Sequence, residues 1–196
     1  MISRRVVDTE KGHIMSLGSA GEVLLRGPIT MTGYLNNEKA SKAAFDSDGW
    51  LKTGDIGYIN QDGKLYIIDR KKELIKVRGW QVAPAELESC LLQHDHIIDA
   101  AVIGIPHPWE ATEVPKAYLV RRSGSLVSPE EIAKFLLQYL AKYKVMDMQF
   151  RFCDSIPKSA SGKILKKALR EAASDSGYES VESPTEENFR VGTIKE

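Results

Sequence analysis

Three short clusters hold residue types able to handle anions and sugar hydroxyls. In Lys52-Thr53-Gly54-Asp55-Ile56-Gly57, two glycines flank a carboxylate, letting the backbone turn and present Asp55 outward, expected at a strand end. A carboxylate of this kind suits the two hydroxyls of a vicinal diol such as ribose; a plain Gly-Asp turn is the competing reading. In Asp69-Arg70-Lys71-Lys72-Glu73-Leu74-Ile75-Lys76, a strand runs into a cationic link. Arg70 is a fixed donor for a ribose or phosphate oxygen and Lys76 a positive partner for an anion, unless the segment is simply a solvated connection. The glycine of Arg78-Gly79-Trp80-Gln81-Val82 marks either a close approach to the backbone or a hairpin turn.

The third cluster is Ile156-Pro157-Lys158-Ser159-Ala160-Ser161-Gly162-Lys163-Ile164-Leu165. Its Gly-Lys invites comparison with a phosphate-binding P-loop, but that motif needs glycine at Pro157 and serine or threonine at Ile164. The surviving reading is Lys163 on a mobile Ser/Gly loop, where a point charge can swing onto a carboxylate or phosphate oxygen. The four histidines are scattered, and no serine or cysteine sits in a nucleophile elbow.

The elements that must position these residues follow from pattern. Strands are expected at 5–8, 21–28 and 64–68, with Asn60-Gln61-Asp62-Gly63 turning into the last. So small a β patch is expected to leave an apolar face uncovered. Beyond Arg70 the spacing predicts strands at 100–105, 116–120 and 149–152 and three helices. The first opens at Pro84 with Leu87, Cys90 and Leu91 on one face, and the second at the capping box Ser128-Pro129-Glu130-Glu131. The apolar stripe Ile132, Phe135, Leu136, Tyr139, Leu140 and Tyr143 faces a core; the third helix is expected from Gly162, with Ile164, Leu165, Ala168 and Leu169 inward.

The fold class is therefore α+β. Residues 1–69 read as a β-rich remnant, 70–173 as a small three-helix α/β domain and 174–196 as a disordered acidic tail.

Composition limits function. Of 196 residues, 27 are Lys or Arg and 27 Asp or Glu, and this zero net charge argues against nucleic acid or an anionic membrane as the main partner. The balance is a cancellation: from Glu171 onward seven acids meet two bases, a net of −5, so residues 1–170 carry +5. Two distant cysteines indicate neither a disulfide framework nor a metal site, and no stretch is long enough to span a bilayer. A cytoplasmic location is expected, since Ile194-Lys195-Glu196 does not read as a peroxisomal address.

Taken in order, the clusters resemble the adenylate-forming superfamily, which includes acyl-CoA synthetases, 4-coumarate–CoA ligases, beetle luciferases and the adenylation domains of peptide synthetases. The likeness also rests on Gly21-Glu22-Val23-Leu24-Leu25-Arg26-Gly27, Gly33-Tyr34-Leu35-Asn36 and Gly49-Trp50-Leu51, and covers roughly residues 5–170. Val82-Ala83-Pro84-Ala85-Glu86-Leu87-Glu88 is similar to the coumarate-ligase-like branch.

The resemblance implies an enzyme that uses ATP and CoA to convert a carboxylic acid to an acyl-adenylate and then a thioester, closed by a small rotating lid. It implies that Asp55 and Arg70 hold the ribose, that Lys72 is the hinge, and that Lys163 neutralises charge during adenylation. It assigns Lys76 and Gln81 to the lid face that meets the adenylate and Gly79 to the passage for the pantetheine arm.

The family's phosphate loop, acyl pocket and Mg2+-binding glutamate are not recognisable in the sequence, which offers no Mg2+ ligand. The chain is thus expected to be the carboxyl-terminal portion of a ligase and not to act alone. An interaction module docking on an intact synthetase or carrier protein, or one half of a split enzyme complemented by the missing lobe, are the alternatives.

Overall fold

The computed structural model describes residues 2–175. It divides into two compact units, Met1–Leu74 and Ile75–Glu196.

In the first unit, strands β1 (Ser3–Val7), β2 (Gly21–Arg26), β3 (Leu51–Ile59) and β4 (Leu65–Arg70) form an antiparallel sheet in sequence order. Val6, Val7, Val23, Leu24 and Ile56 are buried. Exposed apolar side chains lie in its loops, with Ile29 76% and Leu35 92% exposed, and on β4, where Ile67 is 55% exposed. A six-residue helix, α1 (Glu38–Ala43), starts where the Asn37 side chain accepts a hydrogen bond from the Ala40 N–H.

The second unit opens with a hairpin, β5 (Ile75–Val77) and β6 (Trp80–Val82), which leads into α2 (Pro84–Leu91). Its main sheet has β7 (Ile97–Pro106) antiparallel to β8 (Glu113–Arg121) and β9 (Gln149–Phe152) parallel to β8. Alternation along the strands divides the core. Ala100, Val102, Ala117 and Leu119 face Leu87 and Leu91 of α2 and Ile132 and Leu136 of α3 (Pro129–Tyr139); Ala101, Ile103 and Tyr118 face Leu169 of α4 (Lys166–Asp175). The three expected strands and the helices after Pro84 and Ser128 are all present, and the capping box at Ser128 is complete.

The third helix differs from expectation. It begins at Lys166 rather than Gly162, and Leu165 is 43% exposed rather than inward. Residues 157–165 instead close on themselves: Lys158 bridges Ile164, and the Leu165 N–H donates to the Pro157 carbonyl at 2.9 Å. These bonds use backbone groups that a helix would need. The helix also runs on to Asp175, past the expected end at 173, while the disorder expected further along the tail falls on residues 176–196, outside the described residues. Among the described residues no helix is long and apolar enough to cross a membrane.

Candidate functional site

Asp55 lies within β3 rather than at its end. Leu24 pairs with Lys52 and Glu22 with Ile56, so Val23 alone opposes Thr53, Gly54 and Asp55. The surplus is a bulge, and within it Gly54 has φ +72°, a conformation that costs a residue with a side chain. The Thr53 hydroxyl makes good the broken ladder: it donates to the Val23 carbonyl at 2.8 Å and accepts from the Asp55 N–H at 3.1 Å.

A bulge re-aims the side chains that leave it, and here Asp55 stands directly opposite Arg70 of β4. Arg70 Nε is 3.4 Å from Asp55 Oδ1, with 58% and 32% of the two side chains exposed. The pair can offer a carboxylate acceptor and a guanidinium donor side by side. Its positioning depends on Thr53, a role with no separate signal in the sequence, because the threonine acts on a strand thirty residues away.

Lys71 and Lys72 follow in a single 3-10 turn, Lys71–Glu73. Lys71 Nζ is fixed 2.8 Å from the buried Glu22 carboxylate, whereas Lys72 has no ion pair among the described residues. The boundary between the two units falls just after this turn.

Lys76 and Gln81 are cross-strand partners in the β5–β6 hairpin, and both are exposed. The turn between them is Arg78-Gly79, with φ +45° and +86°. A two-residue turn with both φ positive matches the twist of a tight hairpin, and glycine is the natural second residue. A Cβ on Gly79 would meet nothing within 4 Å, so among the described residues the glycine serves the turn and leaves open space over it.

Across the hairpin lies the β7–β8 connection: Thr112 Oγ1 accepts from the Arg78 N–H at 2.7 Å and donates to the Lys76 carbonyl at 2.8 Å, and Glu113 Oε2 accepts from the Lys76 N–H at 2.8 Å. Thr112 and Glu113 were not legible as site residues, since their bonding partners lie more than thirty positions away.

Lys163 lies within the closed loop 157–165 that displaces the start of the third helix. The Ser159 N–H donates to the Lys163 carbonyl at 2.8 Å, and the Ser159 hydroxyl accepts from the Lys163 N–H at 3.2 Å. The loop's flanks are tied down by Lys158 to Asp99 at 2.7 Å and Lys166 to Glu88 at 2.9 Å. Between these anchors the exposed Lys163 ammonium has no carboxylate partner among the described residues, and neither has Lys76. The structure thus joins Asp55 with Arg70 in the first unit and Lys76 with Gln81 and Gly79 in the second, with Lys163 on a separate closed loop of the second.

Residues 86–163 match the AMP-binding enzyme C-terminal domain family. The chain is 48% identical over 165 residues to the probable CoA ligase CCL5 of Humulus lupulus, covering 84% of this chain and 30% of that protein. It is 48% identical over 166 residues to 4-coumarate–CoA ligase 2 of Nicotiana tabacum, covering 85% and 30%. Among solved structures, ATP-bound MatB from Rhodopseudomonas palustris aligns with a TM-score of 0.82 at 32% identity, over 89% of this chain and 34% of that one. The chain therefore spans about a third of the length of the relatives it matches.

Proposed function

From a chain that carries the C-terminal domain of AMP-binding enzymes and is related to 4-coumarate–CoA ligases, we propose the carboxyl-terminal portion of an ATP-dependent acyl- or aryl-CoA ligase. The observation that carries this reading is the 48% identity to CoA ligases across most of the chain, with the matched domain running to Lys163.

In the first half-reaction a carboxylate oxygen of the acid attacks the α-phosphorus of ATP, and the bond to the bridging oxygen breaks to release pyrophosphate. In the second, the CoA sulfur attacks the acyl carbon, AMP leaves and the thiol proton is lost. Three groups of this chain act in that sequence. The Asp55 carboxylate accepts the ribose hydroxyls while Arg70 donates to the same sugar. Lys163 places a positive charge where the attacking carboxylate and the α-phosphate crowd negative oxygens together. Lys76 and Gln81 face the adenylate in the thioester step, with Gly79 leaving room for the pantetheine arm.

Lys72, in the turn before the second unit, is the proposed hinge. Mg2+ belongs to the complete enzyme and has no assigned ligand here. The acid's pocket and the phosphate loop are assigned to the remainder of the ligase, so the chain alone is not expected to turn over. Two free thiols, Cys90 and Cys153, suit the reducing cytoplasm proposed as its location.

The test is a chimera in which this chain replaces the matching segment of the tobacco 4-coumarate ligase, assayed for thioester formation with a panel of aromatic and fatty acids. Acid-dependent CoA thioester supports the reading. A folded chimera without it overturns the reading, and robust turnover by the chain alone overturns the claim that it needs the remainder.

A further inference from the structure

We infer that Arg78 is a positioning residue, whose guanidinium, held between Glu110 and Asp147, fixes the aim of the β5–β6 hairpin and so of Lys76, Gly79 and Gln81. The inference rests on the function proposed for those three residues. Arg78 occupies the first turn position at φ +45°, where a residue with a side chain is strained and asparagine or glycine is the common choice. An arginine there needs a compensating role, and its side chain shows one.

Arg78 Nε lies 3.2 Å from Glu110 Oε2, and one terminal nitrogen lies 3.0 Å from Asp147 Oδ2. The two carboxylates come from different segments, the β7–β8 connection and the stretch just before β9. The Asp147 side chain is only 20% exposed, so this arm is screened less than an ordinary surface pair. The backbone is gripped as well, through Thr112 on the Arg78 N–H and the Lys76 carbonyl and Glu113 on the Lys76 N–H. The hydrogen bond to Glu110, with the charge of Asp147 beside it, holds the guanidinium still further toward its charged form.

The forked, planar guanidinium sets separate nitrogens against the two carboxylates, whereas a lysine would have to serve both from a single ammonium. Ile75, Val77 and Val82 anchor the inner face of the hairpin in the core, while its exposed turn is held by the Arg78 ion pairs and the backbone bonds to Thr112 and Glu113. Without the guanidinium the hairpin keeps its ladder but loses its two ion-pair ties to the β7–β8 connection and the stretch before β9. The thioester step, in which Gly79 and Gln81 face the substrate, is the step that depends on this aim.

Arg78→Gly removes the side chain while keeping the positive φ, so backbone strain is not added. In the full chain, amide hydrogen exchange of residues 76–81 is expected to quicken at least tenfold in Arg78→Gly and severalfold in Asp147→Asn and Glu110→Gln, with α3 amides unchanged and Arg78→Lys intermediate. In the chimera, the ratio of thioester formation to ATP–pyrophosphate exchange is expected to fall at least tenfold in Arg78→Gly and to be partly restored in Arg78→Lys. Unchanged protection of residues 76–81, or an unchanged ratio in a chimera that exchanges, overturns the positioning role. A chimera that folds but never exchanges counts against the proposed function instead, and the exchange protection then decides the role of Arg78.

Discussion

Asp55 and Arg70 face each other across the β3–β4 ladder, with Arg70 Nε 3.4 Å from Asp55 Oδ1, because a bulge centred on Gly54 aims the carboxylate at that position. Both side chains remain partly open to solvent, so the pair is worth little to the fold, about 0–1 kcal/mol. Asp55→Ala is therefore expected to leave the urea midpoint of the chain nearly unmoved. In the chimera the same change is expected to raise KM for ATP by about tenfold to a hundredfold, the loss of a charge-assisted hydrogen-bond acceptor. A large stability loss with no change in KM contradicts the ribose role.

Thr53→Val tests the bulge itself. The isosteric change removes the hydroxyl that serves both Val23 and Asp55, leaving a carbonyl and an N–H of the first unit without that partner. A loss of about 1–3 kcal/mol is expected by chemical denaturation. The KM for ATP is expected to rise with it, since Asp55 is no longer held.

The second unit depends on its helices. Leu136 of α3 is fully buried, and Leu136→Ala is expected to cost about 2–5 kcal/mol. Ser128→Ala removes the capping oxygen from the Glu131 N–H and is expected to cost about 0.5–2 kcal/mol. Urea titrations followed by circular dichroism check both.

Asp46 gives the first unit an acid-sensitive point. Burial works against its ionisation, but hydrogen bonds from the Trp50 and Asp48 N–H groups and the Arg5 guanidinium outweigh it and hold the carboxyl below its ordinary value of 3.8. A lowered value in the folded chain means stability that is present above pH 3.8 and lost as the pH falls through the depressed value. Asp46→Asn is expected to lower the urea midpoint at pH 7 and to match the unmutated chain at the acid end. A gap that persists at low pH contradicts this linkage.

Burial pushes the Cys90 and Cys153 thiols up, above the ordinary 9.0. At pH 8 both are expected to react with iodoacetamide more slowly in the folded chain than in urea. The sign for stability is opposite to that of Asp46: the contribution is full below pH 9.0 and declines as the pH rises through the raised value. Mass spectrometry of timed labelling reads both sites.

Most of the second unit was legible in sequence because its signals are local. Pro84, the Ser128 capping box and the alternating strands 100–105 and 116–120 each specify structure within a few residues. The third helix began late because Lys158 and Ile164 bridge across a closed loop, a pairing that the apolar spacing of Ile164, Leu165 and Leu169 conceals. The same division holds for the site. Asp55, Arg70, Lys76 and Lys163 stand out by residue type, whereas Thr53, Thr112 and Glu113, which position their backbones, bond to partners remote in the chain and carry no motif of their own.

Lys163 is proposed to serve adenylation, and ATP–pyrophosphate exchange in the chimera measures that role most directly. Lys163→Ala is expected to lower acid-dependent exchange by about a hundredfold to a thousandfold, the scale seen when one stabiliser of developing charge is removed, while leaving the urea midpoint in place. Exchange that survives this change within a fewfold of the unmutated chimera contradicts the account.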